Sequence, residues 1–216
     1  MKCFYLLFFV FLCGVLAAEE NNSVFSHPLR DTGNNRFLEI CDSISAHKIS
    51  AGNFVQEKTI KKLNRKLVSS GAFVIYAPLG IIWKTEAPFS SITAAGKDFI
   101  VQQSSQGKKQ KLSAAGNEAF IKISDTINAV FSGEAGKLFN NFKVYFFEKD
   151  GEWTMGLEPL DRTVRGAIAN IVISGGSNIR RITLSEQNGD SIQYELFNYA
   201  FPQELSENER AFFFVE

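Results

Sequence analysis

Apolar and polar residues alternate along most of the chain, which is the pattern of β-strands that bury one face. Pro78 and Gly80 mark a turn between two such segments, and Lys149-Asp150-Gly151 and Asn188-Gly189 mark two hairpins further on. Because short turns join antiparallel neighbours, the pattern predicts a long antiparallel sheet, with one strand following Pro88. The other strands are predicted at residues 73–77, 81–84, 99–103, 142–148, 153–159, 168–174, 179–186 and 191–199.

Two segments have the 3.6-residue period of amphipathic helices instead. The first spans 35–47, with Asn34 or Asn35 as its N-cap, and the second spans 118–131 and is ended by Gly133. Their apolar stripes consist of Phe37, Ile40, Cys41 and Ile44 in the first helix and Phe120, Ile123, Ile127, Val130 and Phe131 in the second. A short further helix is expected at 135–140. Helices that are apolar on one side need a sheet to cover, so the predicted fold class is mainly β with α.

The N-terminus has the three parts of a signal peptide. Lys2 supplies the positive charge, residues 4–12 are apolar, and small residues precede a cleavage site after Ala17 or Ala18. The apolar stretch is shorter than the ~20 residues of a membrane-spanning helix. Polar residues follow it. The chain is therefore divided into a signal peptide (1–18), a flexible leader (19–34) and a single folded domain (35–216).

The chain contains an excess of phenylalanine, which has two possible structural explanations. Phe accounts for 21 of the 216 residues, which is roughly double ordinary usage. These side chains either fill an ordinary core or line an apolar ligand cavity. The formal net charge of zero argues against a nucleic-acid-binding protein.

Charged residues are nevertheless unevenly distributed. Residues 48–111 carry eleven Lys and Arg against three acidic residues, whereas 186–216 carry seven acidic residues and one arginine. Such charges either keep strand faces solvated or orient the protein on a partner or an anionic membrane. The candidates for partner docking are Lys61, Lys62, Arg65 and Lys66.

Few residues could carry catalysis or bind a metal. His27 and His47 are the two histidines, and Cys41 is the one cysteine after the predicted signal peptide. The histidines do not form a closely spaced ligand pair, and Ser174-Gly175-Gly176-Ser177 lacks the pattern of a nucleophile elbow. We therefore expect a protein that is not an enzyme and that has neither a metal nor a cofactor.

Several segments of the predicted strands share a characteristic order and spacing. They are Asn53-Phe54-Val55-Gln56-Glu57-Lys58, the run from Gly71 to Trp83 with Pro88 after it, Leu157-Glu158-Pro159, Ile179-Arg180-Arg181-Ile182 and Asn188-Gly189-Asp190. Together they resemble the LolA family of periplasmic outer-membrane lipoprotein carriers, from about residue 35 to the C-terminus. The resemblance implies a single curved antiparallel sheet, an unclosed half-barrel, covered on its concave face by a few helices.

The resemblance also implies a function and a site. A monomeric periplasmic carrier would receive acylated lipoproteins or other lipids from an inner-membrane ABC transporter and pass them to an outer-membrane acceptor. The cavity face is assigned to Phe73, Ile75, Ile81 and Trp83, and the lid contacts to Phe120, Ile123, Ile127 and Phe131. Alternatively, each of these residues is part of the ordinary hydrophobic core and does not line a cavity. Two other functions stay open: a carrier of another amphiphile, such as a polyene or glycolipid intermediate, and a passive envelope scaffold or adhesin.

One position departs from the family pattern. Better-known carriers have an arginine immediately before the turn proline, where this chain has Ala77. Such an arginine would hydrogen-bond to carbonyl groups of the lid helix, and the alanine side chain cannot. We therefore expect the lid to close by non-directional apolar contact and to open readily without cargo.

Overall fold

Eleven antiparallel strands form one sheet in the part of the chain that the structure describes. This computed structural model describes residues 24–31, 33–96, 99–105, 107, 109–112 and 118–214, so the predicted signal peptide lies outside the described residues. The strands are β1 (Ile49–Ile60), β2 (Arg65–Tyr76), β3 (Gly80–Ala87), β4 (Ser91–Gly96), β5 (Ile100–Ser104), β6 (Lys109–Leu112), β7 (Phe142–Lys149), β8 (Glu152–Pro159), β9 (Ile168–Gly175), β10 (Ile179–Glu186) and β11 (Ser191–Ala200).

Strands that follow one another in sequence are neighbours in the sheet at all but one position. The order is β6-β5-β4-β3-β2-β1-β11-β10-β9-β8-β7, so β1 pairs with β11 at the centre. β6 and β7 lie at opposite edges, which leaves the sheet unclosed. The predicted hairpins at Pro78, Asp150 and Asn188 are all present. The predicted fold class, a single unclosed antiparallel sheet with a few helices, is confirmed.

The described α-helices are α1 (Asn35–Ser45), α2 (Glu118–Phe131), α3 (Ala135–Asn141), α4 (Arg162–Ala167) and α5 (Glu207–Phe213). α1 begins as predicted, because the Asn34 side chain accepts a 2.9 Å hydrogen bond from the backbone N–H of Phe37. α2 has its predicted bounds, and Gly133 follows it with a φ of +67° that favours glycine. Among the described residues, no helix combines the length and apolar character that crossing a membrane would require.

The main hydrophobic core lies between helices α1 to α4 and one face of the sheet, here called the inner face. Phe37 of α1 and Phe54 and Phe73 of the sheet are almost completely buried in it. Cys41 is buried there as well, and burial raises the pKa of its thiol to about 12. It therefore acts as a small apolar side chain, which agrees with its place in the apolar stripe of the first helix.

A second, smaller core lies on the opposite, outer face of the sheet, where α5 packs. The sequence pattern does not predict α5, because seven residues show too little periodicity. Its start is fixed by a capping box between Ser206 and Glu209, and Lys84 of β3 donates a 2.7 Å hydrogen bond to Glu209. The side chains buried in this core are Ile49, Val74, Ile82, Ala94, Val101, Leu205, Phe212 and Phe213.

Residues 24–29 of the leader predicted to be flexible (19–34) are packed against the sheet, so the prediction is wrong for these residues. Val24 is fully buried, in a 3-10 turn that spans Val24–Ser26. The backbone N–H of Phe146 in β7 donates to the carbonyl of His27 (3.0 Å), and that of Leu29 donates to Val144 (2.8 Å). The high average polarity of the segment hides the few apolar side chains that anchor it.

Candidate ligand-binding site

A cavity of about 540 Å³ opens between the inner face of the sheet and helices α2 and α4. Its volume is within the range of roughly 300–1,000 Å³ that small-molecule sites occupy. Apolar and uncharged polar side chains form most of its wall. These are Phe54, Gln56, Trp83, Thr85, Thr93, Gln102, Ser124, Ile127, Ile168, Leu184, Gln187, Asn188, Ile192 and Tyr194.

Three aromatic rings form the floor of the cavity. The rings of Phe54 in β1 and Trp83 in β3 have centroids 5.1 Å apart, although β2 lies between their strands. At Gly71 of β2, the partner of Phe54 in register, β2 and β3 approach each other closely, because a Cβ there would clash with the Lys84 carbonyl of β3. Tyr194 of β11 stacks on Trp83 at 4.7 Å. The result is an aromatic surface that extends from β11 to β3.

The wall becomes polar, but stays uncharged, toward β5. Thr93 of β4 is in register with both Trp83 of β3 and Gln102 of β5, so the three side chains lie on the same face. Thr85 of β3 and Gln56 of β1 add further uncharged polar groups to the wall. Hydroxyl and amide groups can hydrogen-bond the polar part of an amphiphile while the aromatic floor contacts its apolar part.

Two titratable side chains belong to the described wall of the cavity, Glu186 and Tyr194. Glu186 forms an ion pair with Lys58 at 3.4 Å. Burial raises the pKa of Tyr194 to about 12, so its phenol keeps its proton near neutral pH. Within the described ranges, no group of three or more His, Cys, Asp or Glu residues could hold a metal ion.

The structure brings two of the eight predicted cavity residues to the cavity, Trp83 and Ile127. Four others lie in the main core and outside the cavity wall, namely Phe73, Ile75, Ile81 and Phe131. For these four the structure supports the alternative of plain core. Phe73 is fully buried against the rings of Trp83 (6.0 Å) and Tyr199 (5.4 Å), so sharing a face with Trp83 does not bring it to the cavity. The side chains of Phe120 and Ile123 lie outside the described part of the structure.

Two cavity residues that this assignment misses belong to a motif already visible in the sequence. Phe54 and Gln56 are separated by one residue in β1, so both side chains lie on the inner face, and Val55 lies on the outer face. The alternation within Phe54-Val55-Gln56 could therefore have predicted that Phe54 and Gln56 face the cavity. Tyr194, by contrast, comes to the cavity because β11 pairs with β1, and no local pattern indicates that long-range contact.

Helix α2 is tied to the β2–β3 turn by directed hydrogen bonds. The side-chain amide of Asn128 donates to the carbonyl oxygen of Ala77 at 2.8 Å. The single hydroxyl proton of Ser132 has two acceptors in reach, the same oxygen at 3.2 Å and the Asn128 carbonyl at 2.8 Å. The expectation that closure rests on apolar contact alone is therefore wrong. One donor is on the helix, the other directly follows it, and the acceptor is a backbone carbonyl, so Ala77 needs no polar side chain.

The four predicted docking cations lie together at the end of the β1–β2 hairpin, and all four are exposed: Lys61, Lys62, Arg65 and Lys66. Lys66 forms an ion pair with Glu57 at 2.8 Å. The backbone N–H of Lys61 donates to the Asp190 carboxylate at 2.9 Å. The structure thus groups these cations at one end of the sheet, and their docking role stays a prediction.

The sheet, its covering helices and the internal cavity define the chain as an unclosed half-barrel with a cavity on its inner face. The chain belongs to the LolA family, because residues 45–213 match the family model described as outer membrane lipoprotein carrier protein LolA. The family resemblance read from the sequence is confirmed. Comparison with curated proteins gives no significant match.

Solved structures with a similar fold have little sequence in common with the chain. One is the LolA superfamily protein NE2245 from Nitrosomonas europaea, at 10% identity and a TM-score of 0.48, covering 82% of this chain and 96% of that one. Another is a DUF1329 family protein from Desulfovibrio piger, at 9% identity and a TM-score of 0.47, covering 83% of this chain and 95% of that one.

Proposed function

We propose that the protein is a periplasmic carrier that binds acyl chains of lipoproteins in its cavity and shuttles them from the inner to the outer membrane. Membership in the LolA family suggests a lipid- or lipoprotein-binding, carrier-like function. The observation that supports binding of acyl chains in the cavity is the aromatic floor of Phe54, Trp83 and Tyr194. Such a surface shields acyl methylenes from water, and each buried CH₂ contributes about 0.8 kcal/mol.

The proposed carrier binds and releases its cargo without catalysing a reaction, so we propose that it is not an enzyme. The titratable groups of the described wall are a paired carboxylate, Glu186, and a phenol that keeps its proton, Tyr194. They do not form a nucleophile activated by a base. The histidines stack on other rings away from the wall, His27 on Phe147 and His47 on Phe201.

Carriage between two membranes requires a donor and an acceptor. We propose an inner-membrane ABC transporter as donor and an outer-membrane protein as acceptor, with a monomeric carrier moving between them. The exposed cations of the β1–β2 hairpin support an electrostatic encounter, because exposed charge mainly affects association rates.

A second candidate is a carrier for another amphiphile, such as a glycolipid intermediate. The observation that favours it is the uncharged polar region of the wall, where Thr93 and Gln102 lie in register. Hydroxyl and amide groups of this kind hydrogen-bond an uncharged head group. A passive scaffold has less support, because it requires no cavity.

Mass spectrometry of organic extracts tests this proposal and separates the candidates. The protein is purified from periplasm without detergent, and the extract is compared with that of the Trp83→Ala variant. We expect acylated lipoprotein fragments or other acyl lipids with the parent protein, in amounts approaching one ligand per chain, and much less with the variant. A glycolipid or polyene in place of lipoprotein acyl chains would favour the second candidate. An extract free of lipid from both proteins would contradict carriage.

A further inference from the structure

The end of the β1–β2 hairpin extends beyond the strands on either side of it. This tip consists of residues 61–68, which are all exposed. On one side, β2 pairs with β3 only from Ser70 onward. On the other side, β11 begins beside Thr59 of β1. Asn64 closes the tip in the left-handed conformation, with a φ of +46°.

Large apolar side chains are concentrated on this tip. Leu63, Leu67 and Val68 are 60%, 52% and 56% exposed, and they account for three of the eight large apolar side chains that are exposed among the described residues. Exposed apolar clusters mark contact sites with proteins or membranes. The edge of β2 that faces away from β1 is open at the tip, and apolar residues on an open strand edge favour aggregation. Their presence here therefore needs a function to explain it.

Basic side chains surround these apolar residues. Lys61, Lys62 and Arg65 form no ion pair with another described residue, and Lys66 pairs with Glu57. Basic residues interleaved with exposed apolar side chains are typical of segments that lie in the interface of an anionic membrane. The apolar side chains strengthen membrane binding by burial, and the basic side chains strengthen it by attraction to anionic head groups.

The distribution of the apolar residues favours a bilayer over a protein partner. Leu67 pairs with Lys58 and Val68 pairs with Glu57, and successive residues in a strand lie on opposite faces. The tip is therefore apolar on both faces. A protein surface that packs against one side of the hairpin would cover only one of these faces, whereas lipid chains can surround an inserted hairpin on all sides.

The tip is attached to the rim of the cavity. The backbone N–H of Lys61 donates to Asp190 at 2.9 Å, and Lys58 pairs at 3.4 Å with Glu186, which belongs to the cavity wall. Gly189 leaves room for the aliphatic part of Lys61, because a Cβ on Gly189 would come within 2.9 Å of Lys61 Cδ. When the tip is bound to a surface, the cavity therefore lies close to that surface.

We propose that the β1–β2 tip binds directly to anionic lipid bilayers, with Leu63 and Leu67 inserted in the interface and the surrounding cations on the head groups. This contact places the cavity beside the membrane surface, where an acyl chain can enter or leave it. The proposal does not depend on which cargo the cavity holds. It adds a direct membrane contact to the protein partners considered above.

Vesicle binding tests the proposal. The parent protein is mixed with vesicles of phosphatidylcholine alone or with phosphatidylglycerol added, and bound protein is measured by co-sedimentation. We expect binding that requires the anionic lipid and weakens as salt is raised. Changing the four tip cations to Gln should reduce it at least tenfold, because each surface cation contributes on the order of a fivefold factor. Leu63→Ser with Leu67→Thr should reduce it by a similar amount.

Two matched controls carry the same changes elsewhere on the surface. One replaces exposed basic residues outside the tip by Gln, namely Lys48, Lys111, Lys143 and Lys149. The other replaces exposed apolar residues outside it, as Phe89→Ser with Phe214→Ser. Each control should change vesicle binding less than about threefold. Binding of a soluble acyl ligand without vesicles is measured in parallel, and it should stay unchanged in the tip variants. A failure of the carrier proposal would appear in that second measurement alone.

Leu63→Trp gives a direct readout of insertion. Its added fluorescence, measured as the difference from the parent protein, should shift to shorter wavelength on anionic vesicles and be quenched by brominated lipid. Three results would overturn the proposal: no binding of the parent protein to anionic vesicles, equal binding of parent and tip variants, or tip variants that lose transfer to a protein acceptor while still binding vesicles. The last would assign the tip to a protein partner.

Discussion

Trp83→Ala is expected to weaken binding of a fluorescent acyl ligand by about tenfold to a hundredfold while the protein stays folded. The indole of Trp83 lies on the cavity floor and stacks on Tyr194, so its removal takes away about 1.5–3 kcal/mol of apolar burial from the complex. Because Trp83 is half-buried without ligand, its loss should lower the free energy of unfolding only moderately. Ligand titration and urea unfolding measure the two effects.

Trp153 provides the matched control. It is 1% exposed in the same main core, its indole N–H donates to the Gly176 carbonyl at 2.7 Å, and it is not part of the cavity wall. Trp153→Ala should lower the free energy of unfolding by about 3–5 kcal/mol and leave ligand affinity of the folded protein unchanged. If Trp153→Ala does not fold, Trp153→Phe replaces it as the control. Equal destabilisation by the two alanine variants, with unchanged affinity, would place Trp83 in the core.

Asn128→Ala is expected to increase opening of helix α2 by up to about tenfold. The Asn128 amide provides the shorter of the two side-chain hydrogen bonds to Ala77. Losing it costs about 0.5–1.5 kcal/mol, because only the longer hydrogen bond from Ser132 then reaches that carbonyl. Amide hydrogen exchange of α2 should therefore accelerate, and the protein without cargo should bind more of a hydrophobic dye such as bis-ANS. Strands β2 and β3 should exchange as slowly as before.

Asn140→Ala is the control for this prediction. Asn140 is an exposed residue of α3, so the change raises helix propensity to the same extent without removing a tie to Ala77. Its exchange rates in α2 should match those of the parent protein. If Asn128→Ala also leaves α2 exchange unchanged, the hydrogen bond to Ala77 does not hold the helix closed.

The sequence predicts those elements whose own residues contain the necessary signal. α2 has apolar residues at helical spacing and a glycine at its end, and the hairpin at Asp150-Gly151 has a turn that only a few residue types can form. α5 and α4 are too short for a periodic pattern. The leader is misassigned because two or three apolar side chains are enough to anchor it, and these do not change its average polarity.

The cavity is less predictable than the fold, because it depends on contacts between distant strands. Alternation places Phe73 and Trp83 on the same face, yet only Trp83 belongs to the cavity wall. The missing arginine at position 77 is visible in the sequence. The hydrogen bond that replaces it is not visible in the sequence, because its donor, Asn128, lies 51 residues away and its acceptor is the backbone carbonyl of Ala77.

Photocrosslinking with an acyl chain that carries a diazirine near its end tests whether the cavity on the inner face holds an acyl chain. Labelled peptides are identified by mass spectrometry, with excess unlabelled ligand as the competitor. We expect competed labelling on the strands that carry Phe54, Trp83 and Tyr194 and on α2 near Ile127. Labelling confined to exposed outer residues, such as Phe197 and Phe214, would contradict this expectation.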